Sequence, residues 1–394
     1  MFYRQPMSTF QVSFGRRHVM LDMMRGFQRL PTKQRPFLMQ HFILPTSDPQ
    51  WNKILQSCDH DFYNLSEYVE LEANREGGQG IGIVFEEKEK IVFFQFILKA
   101  LPEEFIHVAP GIRDAISPYG YPGLVFSREC KKDDDFKFLC ICNLLEIMKE
   151  MSIVCAFIRL NPMFPFSKIE DKNLGIVTVD HFSTVWIDLL TSKEEVIRNT
   201  RKTHKNLISR ARREGFVARE DKSLKHLDTF GRIYRKTMKR LGAAEMYLFD
   251  DNYFHGLSKA LEEHFHLWVV EKENELAAAG IFSDCNGIVQ YHLSGTEEKF
   301  ERVSPTRLMI SEVRDWAIEK GNRAFHLGGG LGSKEDGLYK FKAGFSKSTA
   351  VFQTMRLIAK KEDYNALLKI WEKYSGKQSD SVSGYFPAFR KNIV

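Results

Sequence analysis

Hydrophobic and polar positions along this chain fall into two alternating regimes, a period of two and a period near 3.6. "WNKILQSCDH" (51–60) and "NLSEYVELEANREG" (64–77) read as helices, the second with Ser66 as N-cap and Gly77 as its stop. "IGIVFEEKEKIVFFQFIL" (81–98) gives two apolar runs around a charged turn, the signature of a hairpin. A Pro/Gly/Tyr loop, "DAISPYGYPGLVFS" (114–127), comes next. "FKFLCICNLLEIMKEM" (136–151) then reads as a buried helix, and "IVCAFIRL" (153–160) as a strand ended by Asn161-Pro162.

The same order returns later. "LWVVEKENELAAAGIFS" (267–283) is a hairpin and "GIVQYHLSG" (287–295) a strand. "SPTRLMISEVRDWAIEKG" (304–321) is a helix with Ser304 as N-cap, Pro305 at its first position and Gly321 as C-cap. "RAFHLGGG" (323–330) is the strand after it. Hairpin, strand, helix and strand therefore recur at a near-constant offset, without residue identity, which predicts an α/β fold of two similar domains with mixed sheets. The expected boundaries are a basic, poorly ordered extension over 1–40, domains over 41–185 and 186–360, and a C-terminal helix and tail over 361–394.

Between the repeats, "SKEEVIRNTRKTHKNLISRARREGF" (192–216) reads as one basic helix. Ser192 and Glu195 form a capping-box pattern and Gly215 a stop. It is either a solvated face or an anion-binding surface in which Arg198, Arg201, Lys202 and Lys205 hold phosphates.

Charge changes this picture less than its total suggests. The net charge is +6. Arg4, Arg16, Arg17, Arg25, Arg29, Lys33 and Arg35 against Asp22 account for all of it within the first 36 residues. The remainder is formally neutral, which argues against whole-surface attraction to nucleic acid. The six cysteines show no C-x-x-C pair, and among the twelve histidines only His264 and His266 lie close, so neither a disulfide framework nor a metal site is expected. No apolar run reaches bilayer-spanning length, and the expectation is a soluble, cytoplasmic protein.

The candidate chemistry lies in "HLGGGLGSKEDGLYKFKAGF" (326–345). Ser333 precedes Lys334 where a Walker loop needs glycine, and Ser333 also stands where a dinucleotide fingerprint needs its third glycine. Gly328, Gly329 and Gly330 instead sit at the C-terminal end of a strand, where open α/β sheets bind ligands. Downstream, an extended chain would put Tyr339 and Phe341 on one face and Lys340 and Lys342 on the other. A lysine pair beside a glycine-lined groove suits phosphate or carboxylate recognition, or a developing oxyanion.

The stretch Ser294–Phe345 resembles the second acyltransferase domain of FemABX-like proteins, within the GNAT N-acyltransferase superfamily that includes the BioF2-like group. The match runs through Ser294-Gly295, Arg302, Ser304-Pro305, Trp316-Ala317, Gly328 to Gly330, and Gly337 to Phe345. The basic helix is similar to the segment that opens that domain, and "ISPYGYPG" resembles the first-domain loop of the BioF2-like branch. The resemblance implies two tandem GNAT-like domains and transfer of an acyl or aminoacyl group to an amine. It puts Lys342 at the reacting carbonyl, with Lys340 as its alternate. Gly328 to Gly330 and Tyr339 would line the substrate groove, and Tyr119 would meet the acceptor. The long coiled-coil arm of FemA-type enzymes has no counterpart here. Nor does the coenzyme A pyrophosphate loop appear between Ser294 and Pro305. No bound cofactor is expected, and acyl-CoA and aminoacyl-tRNA both stand open as donors. The acceptor is expected to be a peptidoglycan precursor, an amino sugar or a similar amine, which suggests a role in building the cell envelope. The competing reading is a non-catalytic binder of RNA or anionic polymer on a degenerate acyltransferase scaffold.

Overall fold

The structure is a computed structural model, and it describes residues 39–106, 110–330, 336–376 and 384–391. The basic extension expected over 1–40 lies, through residue 38, outside the described residues.

The first half runs β1 (His41–Pro45), α1 (Gln50–Leu55), β2 (Cys58–Asp59), α2 (Ser66–Arg75), β3 (Gln79–Glu87), β4 (Lys90–Ala100), α3 (Glu103–Ile106), β5 (Arg113–Ile116), β6 (Val125–Ser127), α4 (Asp134–Glu150) and β7 (Ile153–Arg159). A long strand, β8 (Ile176–Asp188), leads into the second half. That half runs α5 (Lys193–Asn199), α6 (Lys202–Arg213), β9 (Val217–Glu220), α7 (Leu227–Arg240), α8 (Asp251–Leu261), β10 (Phe265–Lys272), β11 (Glu275–Cys285), β12 (Ile288–Thr296), α9 (Pro305–Glu319), β13 (Ala324–Gly328), α10 (Gly337–Lys342), β14 (Thr349–Ile358) and α11 (Lys361–Ser375).

Most of the local readings hold, and the exceptions have plain causes. Leu65 rather than Ser66 occupies the N-cap of α2. Ser304 precedes α9 with φ 55, and its hydroxyl turns back to the Glu301 carbonyl instead of capping. The basic helix is two helices, because Thr200 and Arg201 are extended. That break lets the Arg201 N–H reach the Gly344 carbonyl at 2.8 Å.

Among the described residues, one mixed sheet of 14 strands contains both halves, in the order β1-β3-β4-β5-β7-β14-β8-β13-β12-β11-β10-β9, with β2 and β6 as a side branch on β4. Two neighbouring pairs are parallel, β5 with β7 and β12 with β13, as expected where a helix connects the strands. The halves interlock through β14, which pairs with β7 on one edge and β8 on the other. The expected 185/186 boundary falls inside β8, whose start pairs with β14 and whose end pairs with β13.

Packing follows the apolar pattern. In α4, Asp133 caps the Phe136 N–H, and Phe136, Cys140, Ile141, Leu144 and Met148 are buried against β3, β4 and β7. A second cluster joins the two halves. Phe62, Tyr63 and Tyr68 pack with Phe230, Tyr234, Phe249, Tyr253 and Phe254. Each ring taken fully from water there contributes roughly 1.5–3 kcal/mol. The C-terminal residues 384–391 and α11 cover the first half: Tyr364, Phe386 and Phe389 pack on Val154 and Cys155. Among the described residues no helix is long and apolar enough to cross a membrane.

Candidate functional site

Strands β12 and β13 pair at Ile288–Ala324, Val289–Phe325 and Gln290–His326, and there their pairing ends. Beyond Gln290, β12 runs on to Thr296 beside β11 alone. Beyond His326, β13 is shifted by a bulge against β8 and stops at Gly328. The two parallel strands therefore splay apart, and the opening lies at their C-terminal ends.

Gly328 turns the chain with φ 77, a left-handed conformation that side chains resist. A Cβ there would stand 3.2 Å from the Lys342 Nζ and 3.6 Å from the Tyr121 hydroxyl. Glycine is thus needed for both backbone conformation and close approach.

Lys342 arrives from α10, and here the extended reading of residues 339–343 is corrected. Asp336 accepts the Tyr339 N–H at 2.8 Å and starts a short helix. Two residues apart on a helix point to different sides. Lys342 is therefore buried at 7% exposure while Lys340 is exposed. Tyr339 also leaves the groove expected for it and packs at the edge of the second-half core. The Lys342 Nζ donates to the Gly329 carbonyl at 2.8 Å and stands 5.5 Å from the centre of the Tyr291 ring. It thus bridges the opening from the end of β13 to β12. Burial pulls its pKa down to about 7, against a smaller opposing pull from Asp336.

The basic helices act here as a buttress. His204 Nε2 bonds the Phe341 carbonyl at 2.9 Å, and a Cβ on Gly344 would stand only 2.2 Å from that nitrogen. α6 is therefore seated directly on the turn that ends α10. Of the expected anion-binding side chains, Arg198, Arg201 and Lys202 are exposed and Lys205 is half-buried, on the outer surface of this buttress. Arg198 pairs with Glu195 at 3.3 Å on its own helix.

The far wall comes from the first half. Tyr119 lies in an aromatic cluster, 6.2 Å from Tyr247, 5.8 Å from Phe249 and 6.1 Å from His292. Its neighbour Tyr121 is closer to the opening, and sequence reasoning missed it. Its hydroxyl would stand 3.6 Å from a Cβ on Gly328, and its ring lies 5.1 Å from His326. The signal was the second tyrosine of "PYGYPG", two residues from the one chosen. Burial raises the pKa of both phenols, so both remain neutral donors. Among the described residues no group of three or more His, Cys, Asp or Glu side chains could hold a metal ion.

Residues 198–342 match the model of the acetyltransferase (GNAT) domain, a segment that ends on Lys342. No curated protein sequence matches the chain. Among solved structures, FemX is 13% identical, with 83% of this chain and 99% of that chain covered and a TM-score of 0.64. L-PGS from Bacillus licheniformis is 14% identical, with 83% and 96% covered and a TM-score of 0.48. A tandem GNAT protein from the clavulanic acid biosynthesis pathway is 9% identical, with 81% and 98% covered and a TM-score of 0.42. Residues 198–342 are thus similar to an acetyltransferase (GNAT) domain, within a chain that has the fold of FemX.

Proposed function

We propose that the protein is an N-acyl- or N-aminoacyltransferase, moving an acyl or aminoacyl group from an activated ester or thioester to the amine of a cell-wall precursor, an amino sugar or a similar acceptor. One observation carries this reading: a buried lysine held at the opening between two splayed parallel strands.

When an amine attacks an activated carbonyl, negative charge develops on the carbonyl oxygen. A donor fixed in a dry site stabilises that charge without reorganising, and removing such a donor costs on the order of 100- to 1000-fold in rate. The Lys342 Nζ has that character. Its bond to Gly329 fixes its direction, and burial removes competing water. The Tyr121 hydroxyl and the turn at Gly328 to Gly330 stand beside it, to hold both substrates in line. Arg201, just before the helix that buttresses α10, and Lys202 and Lys205 on that helix would hold the anionic part of the donor.

Incubation with a mixture of acyl-thioesters and charged tRNAs, with amino sugars and peptidoglycan-precursor peptides as acceptors, tests the reading by mass spectrometry. The expected product is the acceptor plus one acyl or aminoacyl mass. Absence of any product, together with RNA binding that falls steeply with salt, would favour the binder instead.

A further inference from the structure

Behind the opening lies a chain of buried polar groups that crosses between the two halves. Asp61, just before the helical turn Phe62–Asn64, is fully buried. Its Oδ1 accepts the Phe62 N–H at 2.7 Å, and its Oδ2 accepts the Gln290 Nε2 at 2.6 Å and the Asn161 Nδ2 at 3.5 Å. Gln290 then presents its Oε1 to the His326 Nδ1 at 2.7 Å. All three residues are at most 1% exposed.

The polarity of this chain follows from the chemistry of its ends. An ionised carboxylate only accepts, so the Gln290 amide must point its NH2 toward Asp61. Its oxygen is left facing His326, which must donate from Nδ1. The His326 Nε2 therefore carries an unshared pair, and it is buried with no partner. Leaving such an acceptor unmet costs roughly 1–3 kcal/mol, so its retention calls for a donor that arrives with a ligand. His326 is the last paired residue before β12 and β13 splay. Tyr121 lies edge-on to its ring, and the cation whose charge acts on it is Lys342.

We propose that His326 Nε2 accepts a hydrogen bond from the attacking amine, and that Asp61 and Gln290 are positioning residues that hold the imidazole in its Nδ1-protonated form. The proposal rests on the acyl-transfer reading. One amine N–H is engaged by Nε2, which turns the nitrogen lone pair toward the carbonyl beside Lys342. The N–C bond then forms, the C–O or C–S bond breaks, and the proton shed by nitrogen departs on the leaving oxygen or sulfur. His326 ends as it began. Burial pushes its pKa down to about 3, which suits a group that orients a proton without keeping it.

The test uses the full chain labelled with ¹⁵N-histidine and a long-range ¹H–¹⁵N spectrum at pH 7, with His326 assigned by its loss in His326→Gln. The expected signal is a protonated Nδ1 and a bare Nε2. Asp61→Asn should invert it. The Asn oxygen stays on the Phe62 N–H, its NH2 replaces Oδ2, Gln290 must turn over, and the proton moves to Nε2. If that variant does not fold, Gln290→Met removes the acceptor for Nδ1–H and should bring up the Nε2-protonated form. A wild-type Nε2–H, or a tautomer unmoved by the substitution that folds, overturns the positioning role. In the transfer assay His326→Gln should lower kcat at least 10-fold with the donor KM unchanged. Full kcat in that variant overturns the amine contact and leaves acyl transfer standing, whereas no transfer by the wild type overturns both.

Discussion

Two parallel strand pairs, β5–β7 and β12–β13, hold matching places in the two halves, each coming after a hairpin and each joined by a long helix. In the first half the pairing continues past the strand ends. The Ser117 N–H bonds the Phe157 carbonyl at 2.8 Å, the Arg159 N–H bonds the Ser117 Oγ at 3.0 Å, and the Gly123 N–H bonds the Arg159 carbonyl at 2.8 Å. Phe386 then lies 6.2 Å from the Phe157 ring and covers the seam. In the second half the backbone pairing stops at Gln290–His326, and beyond that point, among the described residues, side chains span the gap: Lys342 reaches from Gly329 to the Tyr291 ring, with Tyr121 beside it. The same element order thus gives one closed pair and one open pair, and the proposed chemistry lies at the open one.

The largest effect should come from unlocking the closed side. Arg390 holds the fully buried Asp114 of β5, with Nε on Oδ2 at 2.7 Å, and its Nη2 also reaches the Ala100 carbonyl. Arg390→Ala strands that carboxylate and should cost about 3–5 kcal/mol in urea unfolding. Turnover per folded molecule should be unchanged. A neutral result would mean that the C-terminal residues do not hold the first pair shut.

Next in size is Lys342→Met on the open side. Turnover should fall on the order of 100-fold, about 2.7 kcal/mol in barrier. Stability should move the other way. The Lys342 pKa is about 7 in the folded chain against 10.5 for an ordinary lysine. Between those values the unfolded chain binds the extra proton, so wild-type stability rises with pH across that window. The methionine variant should lack that slope and be the more stable protein at pH 7. Calorimetry at pH 7 and pH 10 reads both signs, and an identical slope in the two proteins would remove Lys342 as a strained, functional cation.

These contrasts also explain what the sequence could and could not reveal. The repeated element order is legible because hairpins and long amphipathic helices carry strong local periodicity. The glycine turn and Lys342 are legible as well, through their place after a strand and through the resemblance. The helix under Lys342 is not, since the four residues Tyr339 to Lys342, alternating aromatic and lysine, fit a strand equally well and only Asp336, as N-cap, decides. Nor are Tyr121, His326, Gln290 and Asp61 legible as one group. Each is an ordinary polar residue in its own segment, and only the sheet brings residues 61, 290 and 326 into line.

A smaller effect should come from loosening the seam of the closed pair without unlocking it. Ser117→Ala removes the fully buried hydroxyl that accepts the Arg159 N–H and should cost about 1–2 kcal/mol, with kcat and KM unchanged. Any loss of turnover beyond the folded fraction would mean that the first half does more than support the second.

The smallest expected effect is acid sensitivity, and it too belongs to the open half. Burial pulls His292 and His326 down to about 3, so both stay neutral while the unfolded chain binds protons below about pH 6.5. Stability is therefore lost as pH falls from 6.5 toward 3. Asp61 works against this loss. Its pKa is raised to about 6, mainly by burial, so the folded chain binds a proton between 6 and 3.8 that the unfolded chain does not. Two histidines outweigh one carboxyl, and the net slope should remain toward acid instability. His292→Phe sets a ring among Phe62, Tyr63 and Tyr119, whose centres lie 5.2–6.1 Å from the present imidazole, and removes one of the two protons. At pH 6 it should recover under about 1 kcal/mol relative to its effect at pH 8, rising as the solution is made more acidic. A pH series of urea midpoints with the same slope in both proteins would place the acid sensitivity elsewhere and weaken the contrast between the two halves.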